Sequence, residues 1–252
     1  MSEFMDCLIH DGERIDNIGF GNLRLIQKPE DFCYGIDAVL LATFAEVRKN
    51  AKVIDLGTGT GIIPMILSHK TGASEIVGVE VQKDSFERGL RNILLNDLSE
   101  RVKLIYGDVK QLVKEKMVAK HSFDVVLTNP PYIQGNGGLK NKENARTIAR
   151  HETTAGLADF INEAGLLLKD RGDFYMVHRP SRLVDISILC RQHKLEPKEI
   201  RLVSPNKDTG PNIILIHCVK HGRPELRFLD PLYVYQEDGS YTDEIMKLYE
   251  RQ

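Results

Sequence analysis

The hydrophobic residues of this chain form short apolar runs that alternate with longer amphipathic stretches. Short uninterrupted runs are typical of strands buried on both faces of a parallel sheet, and the stretches between them are long enough for helices. The pattern predicts a doubly wound α/β fold. Its predicted strands are residues 53–56, 75–80, 102–106, 123–127 and 172–178, its helices 62–69, 85–95 and 182–193, and its closing strand pair 197–203 and 212–219.

Four successive predicted strands end in, or lead directly to, polar residues: Asp55, Glu80, Asp108 and Asn129. The carboxyl ends of the strands line one crevice in a doubly wound sheet, so we expect these side chains to lie together. For any one acid the alternative is a helix cap or a solvated loop residue. The set of four favours a binding site.

A glycine-rich turn follows the first predicted strand, with Gly57, Gly59 and Gly61 at the strand-to-helix corner. Glycines allow a ligand to approach the backbone closely, so we expect a nucleotide-like cofactor here. A phosphate-binding loop would need Gly-Lys-Ser/Thr after the turn, and residues 61–64 are Gly-Ile-Ile-Pro. A dinucleotide site is harder to exclude, because an acid also ends the next strand.

Residues 129–132, Asn-Pro-Pro-Tyr, suit a planar exocyclic amine or amide. Asn129 offers a side-chain carbonyl, and Pro130 offers a backbone carbonyl on a rigid chain without an N–H. Two acceptors match the two N–H bonds of such a nitrogen. A rigid turn that ends a strand is the structural alternative. The position after the cofactor acids favours the binding interpretation.

From residue 34 to residue 221 the chain resembles the class I S-adenosylmethionine-dependent methyltransferases. The resemblance implies a Rossmann-like sheet of seven strands, mostly parallel with the last antiparallel. It also implies cofactor roles: Glu80 would bind the ribose hydroxyls, Asp108 the adenine amino group, and Asp55 with the glycine turn the methionine end. Tyr34 and Asp37, in the segment before the first strand, would cover the methionine moiety.

Catalysis in such a site is mainly positioning of the nitrogen in line with the methyl group, and the proton can leave afterwards. We therefore assign no general acid or base. Asn129 and Pro130 would hold the nitrogen, and the Tyr132 ring would stack on a base that has been flipped out.

A closer resemblance is to the small bacterial family of tRNA adenine-N6 methyltransferases that act beside the anticodon of a valine tRNA. It rests on residues 35–42, on an insert after Tyr132 that ends in Ala-Arg-His-Glu at 149–152, and on aromatic residues between 233 and 241. The alternatives are a protein glutamine-N5 methyltransferase, an rRNA guanine-N2 methyltransferase and an inactive RNA-binding protein. DNA modification is disfavoured because neither end has room for a recognition domain.

Length and composition fit one enzyme domain: 252 residues with 42% hydrophobic residues can bury a full core. We expect an N-terminal lid or strand extension at 1–33, the methyltransferase domain at 34–221 and a C-terminal tail at 222–252 that packs on the same domain. No apolar run reaches membrane-spanning length, and the first residues lack the pattern of a secretory signal, so we expect a cytoplasmic protein. The four cysteines are not spaced for zinc, so we expect no metal, and a monomer is favoured.

A net charge of −2 gives no global attraction to RNA, so any attraction must be local. Basic residues cluster in the insert after Tyr132 and occur near the ends of later strands, and ordinary solvation is the alternative for each of them. The candidate tRNA contacts are Lys140, Lys142, Arg146, Arg150, Arg179, Arg182 and Lys207.

Overall fold

The structure is a computed structural model that describes residues 8–30, 35–132 and 155–250. It begins with an antiparallel hairpin of β1 (Arg14–Asn17) and β2 (Arg24–Gln27). The main unit then follows in the order α1 (Ile36–Phe44), β3 (Lys52–Leu56), α2 (Ile62–Lys70), β4 (Glu75–Glu80), α3 (Lys83–Leu95), β5 (Val102–Tyr106), β6 (Phe123–Thr128), α4 (Leu157–Leu167), β7 (Leu168–His178), α5 (Leu183–Gln192), β8 (Leu195–Ser204), β9 (Ile213–Lys220), β10 (Arg227–Phe228), β11 (Leu232–Tyr233) and α6 (Asp243–Leu248).

The central strands lie in the order β5, β4, β3, β6, β7, β9, β8. The first five are parallel to one another, and β9 runs antiparallel to both β7 and β8. The predicted doubly wound fold is therefore confirmed, including the antiparallel last strand. The described sheet has nine strands rather than seven, because β10 and β11 from the C-terminal segment pair with the outer strand β8.

The strand order reverses at β3, which lies between β4 and β6. Such a reversal leaves a crevice outside the carboxyl ends of the strands, where ligands of open α/β sheets bind. Alternate residues of β3 enter the two cores: Val53 belongs to the core that includes α1 and α2, and Ile54 belongs to the core that includes α4 and α5. Burial of both faces explains why the strands are continuous apolar runs in the sequence.

Two asparagines, one in α3 and one that caps its C-terminus, fasten the N-terminal hairpin to the main unit. The Asn92 side chain accepts a hydrogen bond from the Ile26 amide at 2.6 Å and donates one to the Thr60 carbonyl in the glycine turn at 3.0 Å. One turn later, Asn96 bonds both the amide and the carbonyl of Arg24, at 2.8 and 2.7 Å. Exposed strand edges need partners for their backbone groups, and here amide side chains supply them.

A buried ion pair holds the same hairpin. The Glu13 side chain is 3% exposed and accepts hydrogen bonds from Arg88 Nε at 3.0 Å and Arg91 Nη2 at 2.8 Å. Burial alone would raise the pKa of Glu13, but the two guanidinium groups and the His10 amide outweigh it and lower the pKa from 4.5 to about 2. Glu13 is therefore charged in the folded protein at any neutral or mildly acid pH.

We predict that Glu13→Gln destabilises the fold by about 2–3 kcal/mol at pH 7, because two buried guanidinium groups lose their counter-charge. Because the pKa of Glu13 is lower in the folded than in the unfolded protein, the ionised carboxylate stabilises the fold at all pH values above about 4.5. The stability difference between variant and wild type should therefore persist down to pH 4.5 and shrink between pH 4.5 and pH 2. Urea unfolding at several pH values measures it. The control is Glu30→Gln, whose carboxylate is 85% exposed; equal effects of the two variants would contradict the prediction.

Candidate active site

The glycine turn between β3 and α2 has a conformation that other residues rarely adopt. Gly57, Gly59 and Gly61 have φ values of 75°, 57° and 86°, which lie in the left-handed region. A Cβ added at Gly57 would lie 3.2 Å from the Phe160 ring, whereas one added at Gly59 or Gly61 would meet nothing within 4 Å. The backbone on the Gly59 and Gly61 side is therefore open to a ligand.

Glu80, at the end of β4, holds this turn in place. Its side chain is buried, and Oε2 accepts a hydrogen bond from the Gly59 amide at 2.9 Å while Oε1 accepts one from the Gln82 amide at 2.7 Å. A carboxylate is a strong acceptor for hydroxyl groups, so the residue type suits ribose hydroxyls. The predicted ribose role stays a prediction, and loop fixation is a role that the sequence did not indicate.

Asp55 is a fully buried carboxylate on β3. Neither of its oxygens, nor the Thr58 hydroxyl, has a hydrogen-bond partner among the residues that the structure describes. Burial is the main cause that raises the pKa of Asp55 from 3.8 to about 7; the adjacent Thr58 side chain lowers the pKa, and the nearby Glu80 charge raises it. A buried acceptor without donors is costly, so this position suits a ligand that brings a donor or a positive charge.

Asp108, after β5, performs the structural role that the sequence left open as an alternative. Its Oδ1 accepts a hydrogen bond from the Lys110 amide at 2.9 Å and caps a short 3-10 helix, Val109–Gln111. Contact with an adenine amino group is not tested by this arrangement and stays a prediction. Beside it, Val81 follows Glu80 and is 38% exposed, so an apolar surface lies at the same strand ends.

The phenol of Tyr132 links the Asn-Pro-Pro-Tyr segment to α1. Its hydroxyl lies 2.7 Å from Asp37 Oδ2 and 3.2 Å from Asn129 Oδ1. A phenol has one hydrogen, and the shorter bond to a carboxylate is the stronger, so the hydrogen belongs to Asp37. The Asn129 carbonyl thus remains able to accept from another donor. The structure places Asp37 against Tyr132, and its predicted contact with the cofactor is untested.

His178 and Arg179, at the end of β7, complete the surroundings of Tyr132. The His178 ring lies 4.9 Å from the Tyr132 ring, edge to face, and its Nδ1 accepts a hydrogen bond from the Arg179 amide at 2.8 Å. Burial, with the charges of Arg182 and Arg179, lowers the pKa of His178 to about 4, so it is neutral at pH 7 with its hydrogen on Nε2. Sequence reasoning missed His178, although its strand-end position was a signal.

Only one of the remaining predicted substrate residues contacts the Asn-Pro-Pro-Tyr segment among the described residues. Arg179 lies with its guanidinium carbon 4.7 Å from the centre of the Tyr132 ring. Arg182 pairs with Asp185 at 2.7 Å, and Lys207 is exposed in the turn between β8 and β9, so solvation remains an explanation for both. The other predicted site residues lie outside the described residues: Tyr34, Lys140, Lys142, Arg146 and Arg150.

Within residues 8–30, 35–132 and 155–250, no cluster of three or more histidine, cysteine, aspartate or glutamate side chains is arranged to hold a metal ion. No helix in that same part of the chain combines the length and apolar character needed to cross a membrane.

Comparison with known proteins identifies relatives of this chain. A protein of Porphyromonas gingivalis named tRNA1(Val) (adenine(37)-N6)-methyltransferase is 26% identical over 226 residues, which is 86% of each chain. A Pasteurella multocida protein of the same name is 31% identical over 144 residues, 57% of this chain and 59% of its own. A crystal structure described as a predicted O-methyltransferase from Agrobacterium tumefaciens is similar in fold, with a TM-score of 0.70, 22% identity and coverage of 85% and 95%.

The family model described as Methyltransferase small domain matches residues 23–187. This match covers more than half of the chain and includes the glycine turn, the strand-end acids and the Asn-Pro-Pro-Tyr segment. The chain therefore belongs to the methyltransferase small domain family, within the class I methyltransferases.

Proposed function

We propose that this protein transfers a methyl group from S-adenosylmethionine to the exocyclic N6 of an adenine in tRNA, beside the anticodon of a valine tRNA. The observation that carries the proposal is the position of Asn129 at the end of β6, next to the strand that leads into the glycine turn. The names of the relatives specify the adenine and the tRNA.

The residues around the glycine turn fit S-adenosylmethionine. The open backbone at Gly59 and Gly61 admits the cofactor, and the Glu80 carboxylate beside Gly59 is suited to accept hydrogen bonds from its ribose. The buried oxygens of Asp55 have no donor among the described residues, and the positively charged methionine end would complement them. When bound, the cofactor supplies an electrophilic methyl group, and the protein's own residues position the nitrogen that attacks it.

Asn129 and Pro130 would draw the amine of the target base out of its planar geometry. The amine lone pair is delocalised into the ring, and two acceptors on its two N–H bonds favour the tetrahedral geometry in which the lone pair can attack. Pro130 is buried and rigid, and Asn129 is half-buried. No residue need take the proton before transfer, because the methylated amine can lose it afterwards.

Tyr132 would stack on the extruded base, with its ring orientation fixed by Asp37. Stacking of a base on an aromatic side chain is worth about 1–3 kcal/mol. Binding of the tRNA itself would depend on the basic insert with Lys140, Lys142, Arg146 and Arg150, helped by Arg179, Arg182 and Lys207. We further propose that the enzyme acts as a monomer in the cytoplasm.

The two acceptors also suit a glutamine amide in a protein or the guanine N2 amine in rRNA. Identification of the methylated product decides among these substrates. An inactive RNA-binding protein would bind RNA without transferring a methyl group.

We predict that Asn129→Ala lowers kcat for tRNA methylation about 100-fold or more while the KM values for tRNA and cofactor change little, because its acceptor matters most as the nitrogen becomes tetrahedral. Methyl transfer from labelled S-adenosylmethionine to tRNA measures both constants. The control Gln192→Ala removes an exposed amide at the end of α5. A raised KM with a normal kcat would show that Asn129 only binds substrate.

We predict that Asp55→Asn weakens cofactor binding but stabilises the ligand-free protein at pH 8 by on the order of 2–4 kcal/mol, because a buried charge is removed. Because the pKa of Asp55 is higher in the folded than in the unfolded protein, the protonated carboxyl stabilises the wild-type fold at low pH. This contribution to stability is lost as the pH rises from 3.8 to about 7. Urea unfolding with and without cofactor, at pH values from 5 to 8, compares the two proteins. Parallel pH curves for variant and wild type would contradict the assignment.

We predict that replacing Lys140, Lys142 and Arg146 together by alanine weakens tRNA binding about tenfold or more and reduces its salt dependence, since each lost phosphate contact removes roughly 0.7–0.9 from the slope. Cofactor affinity should not change. Filter binding at several salt concentrations gives the slope. A control variant with alanine at Lys49, Lys103 and Lys120, which precede or begin strands at the opposite edge of the sheet, should bind normally. An equal loss of cofactor affinity in the first variant would contradict the prediction.

A further inference from the structure

The Tyr132 ring is enclosed by two different side chains. His178, which is 3% exposed, contacts it from the protein interior at a ring separation of 4.9 Å. Arg179 is exposed and lies over the ring with its guanidinium carbon 4.7 Å from the centroid. The side of the ring that Arg179 covers is therefore the side that a ligand from solvent would approach.

Of these groups, Arg179 is the one that can move at little cost. The Tyr132 hydroxyl is bonded to the Asp37 carboxylate at 2.7 Å, and His178 is fixed by burial and by the Arg179 amide at 2.8 Å. Among the residues that the structure describes, the guanidinium is held by its contact with the ring and by one hydrogen bond to the Asn212 carbonyl at 3.0 Å. A cation over a half-buried ring gains about 0.5–2 kcal/mol, and a nucleic-acid base stacked on the same ring gains about 1–3 kcal/mol.

The guanidinium also has the right chemistry for a second position. It is planar and delocalised, so it covers an aromatic face much as a base does, and it matches the geometry of a phosphate when it leaves that face. Arg179 lies next to the end of β7, at the same edge of the sheet as Asn129. Phosphates that flank a base on Tyr132 would pass close to it.

We propose that Arg179 occupies the place of the target base in the ligand-free enzyme and is exchanged for it on binding. The incoming base displaces the guanidinium from the Tyr132 ring, and the guanidinium then binds a phosphate of the RNA. Arg179 is thus a positioning residue that keeps the stacking surface covered until RNA arrives. This inference rests on the proposed function, because it requires a base as the target.

Fluorine NMR on protein labelled with 3-fluorotyrosine tests the exchange. The chain has eight tyrosines, and loss of one signal in Tyr132→Phe assigns the Tyr132 resonance. The probe ligand is the anticodon stem-loop of the valine tRNA, added with S-adenosylhomocysteine so that no methyl transfer occurs. We expect Arg179→Met to shift the Tyr132 signal in the free protein, and saturating stem-loop to shift it in wild type. Arg191→Met, which removes an exposed arginine paired with Glu196, should leave the signal unchanged.

Kinetics supply the second readout. We expect Arg179→Met to raise KM for the stem-loop about 5- to 10-fold and to lower the salt slope by about 1, while kcat stays within about threefold of wild type. Arg179→Lys should restore the salt slope, because it retains the positive charge, but not the wild-type Tyr132 signal, because an ammonium cannot cover the ring in the same way.

The outcomes separate this inference from the function on which it rests. If the protein methylates tRNA but the Tyr132 signal does not move at saturating RNA, the exchange is overturned and the proposed function is unaffected. A wild-type KM and salt slope in Arg179→Met also overturns it. Absence of methyl transfer to any RNA overturns the proposed function and the inference together.

Discussion

The hydrogen bond from the Gly59 amide to the Glu80 carboxylate, 2.9 Å long, joins the two strands at the centre of the site. It fixes a glycine turn whose backbone could otherwise adopt many conformations. Asn92 supports the same turn through the Thr60 carbonyl and also bonds the N-terminal hairpin. The geometry of the cofactor site therefore depends on a side chain at the end of β4 and on a helix that the hairpin holds in place.

Unlike Glu80, whose carboxylate accepts hydrogen bonds from the backbone, Asp55 lowers the stability of the ligand-free protein. A fully buried carboxylate without a donor in the described part of the chain destabilises the ligand-free fold, and its pKa of about 7 reflects that cost. Binding of a cationic ligand beside Asp55 would offset this loss of stability. Glu13, by contrast, is buried with two guanidinium partners and its pKa falls to about 2. The two acids differ in whether the protein itself supplies the partner.

Much of the fold was predictable because buried parallel strands have a simple signature. The five predicted parallel strands, the closing antiparallel pair and the family resemblance are confirmed. The strands β10 and β11 are two residues long, too short to leave a periodic pattern, and were missed. The asparagine contacts of α3 were missed for another reason: a polar residue on an amphipathic helix has the same sequence signal whether it faces water or another strand.

The positions of the site residues at the strand ends were predictable, but the contacts between their side chains were not. Asp55, Glu80, Asp108 and Asn129 do follow or end neighbouring strands, and their ligand contacts remain predictions. The partnership of Tyr132 with Asp37 joins residues 95 positions apart, and that of Tyr132 with Arg179 depends on the packing of β7 beside β6. No local pattern encodes such contacts, because they arise from tertiary packing.

The proposed function requires the acceptors of Asn129 and Pro130 to present an adenine amine of tRNA to S-adenosylmethionine. Mass spectrometry of nucleosides tests this requirement, after incubation of the protein and cofactor with total tRNA from a strain that lacks its gene. We expect an increase in N6-methyladenosine that disappears with Asn129→Ala. Formation of no new methylated nucleoside, or of N2-methylguanosine in its place, would contradict it.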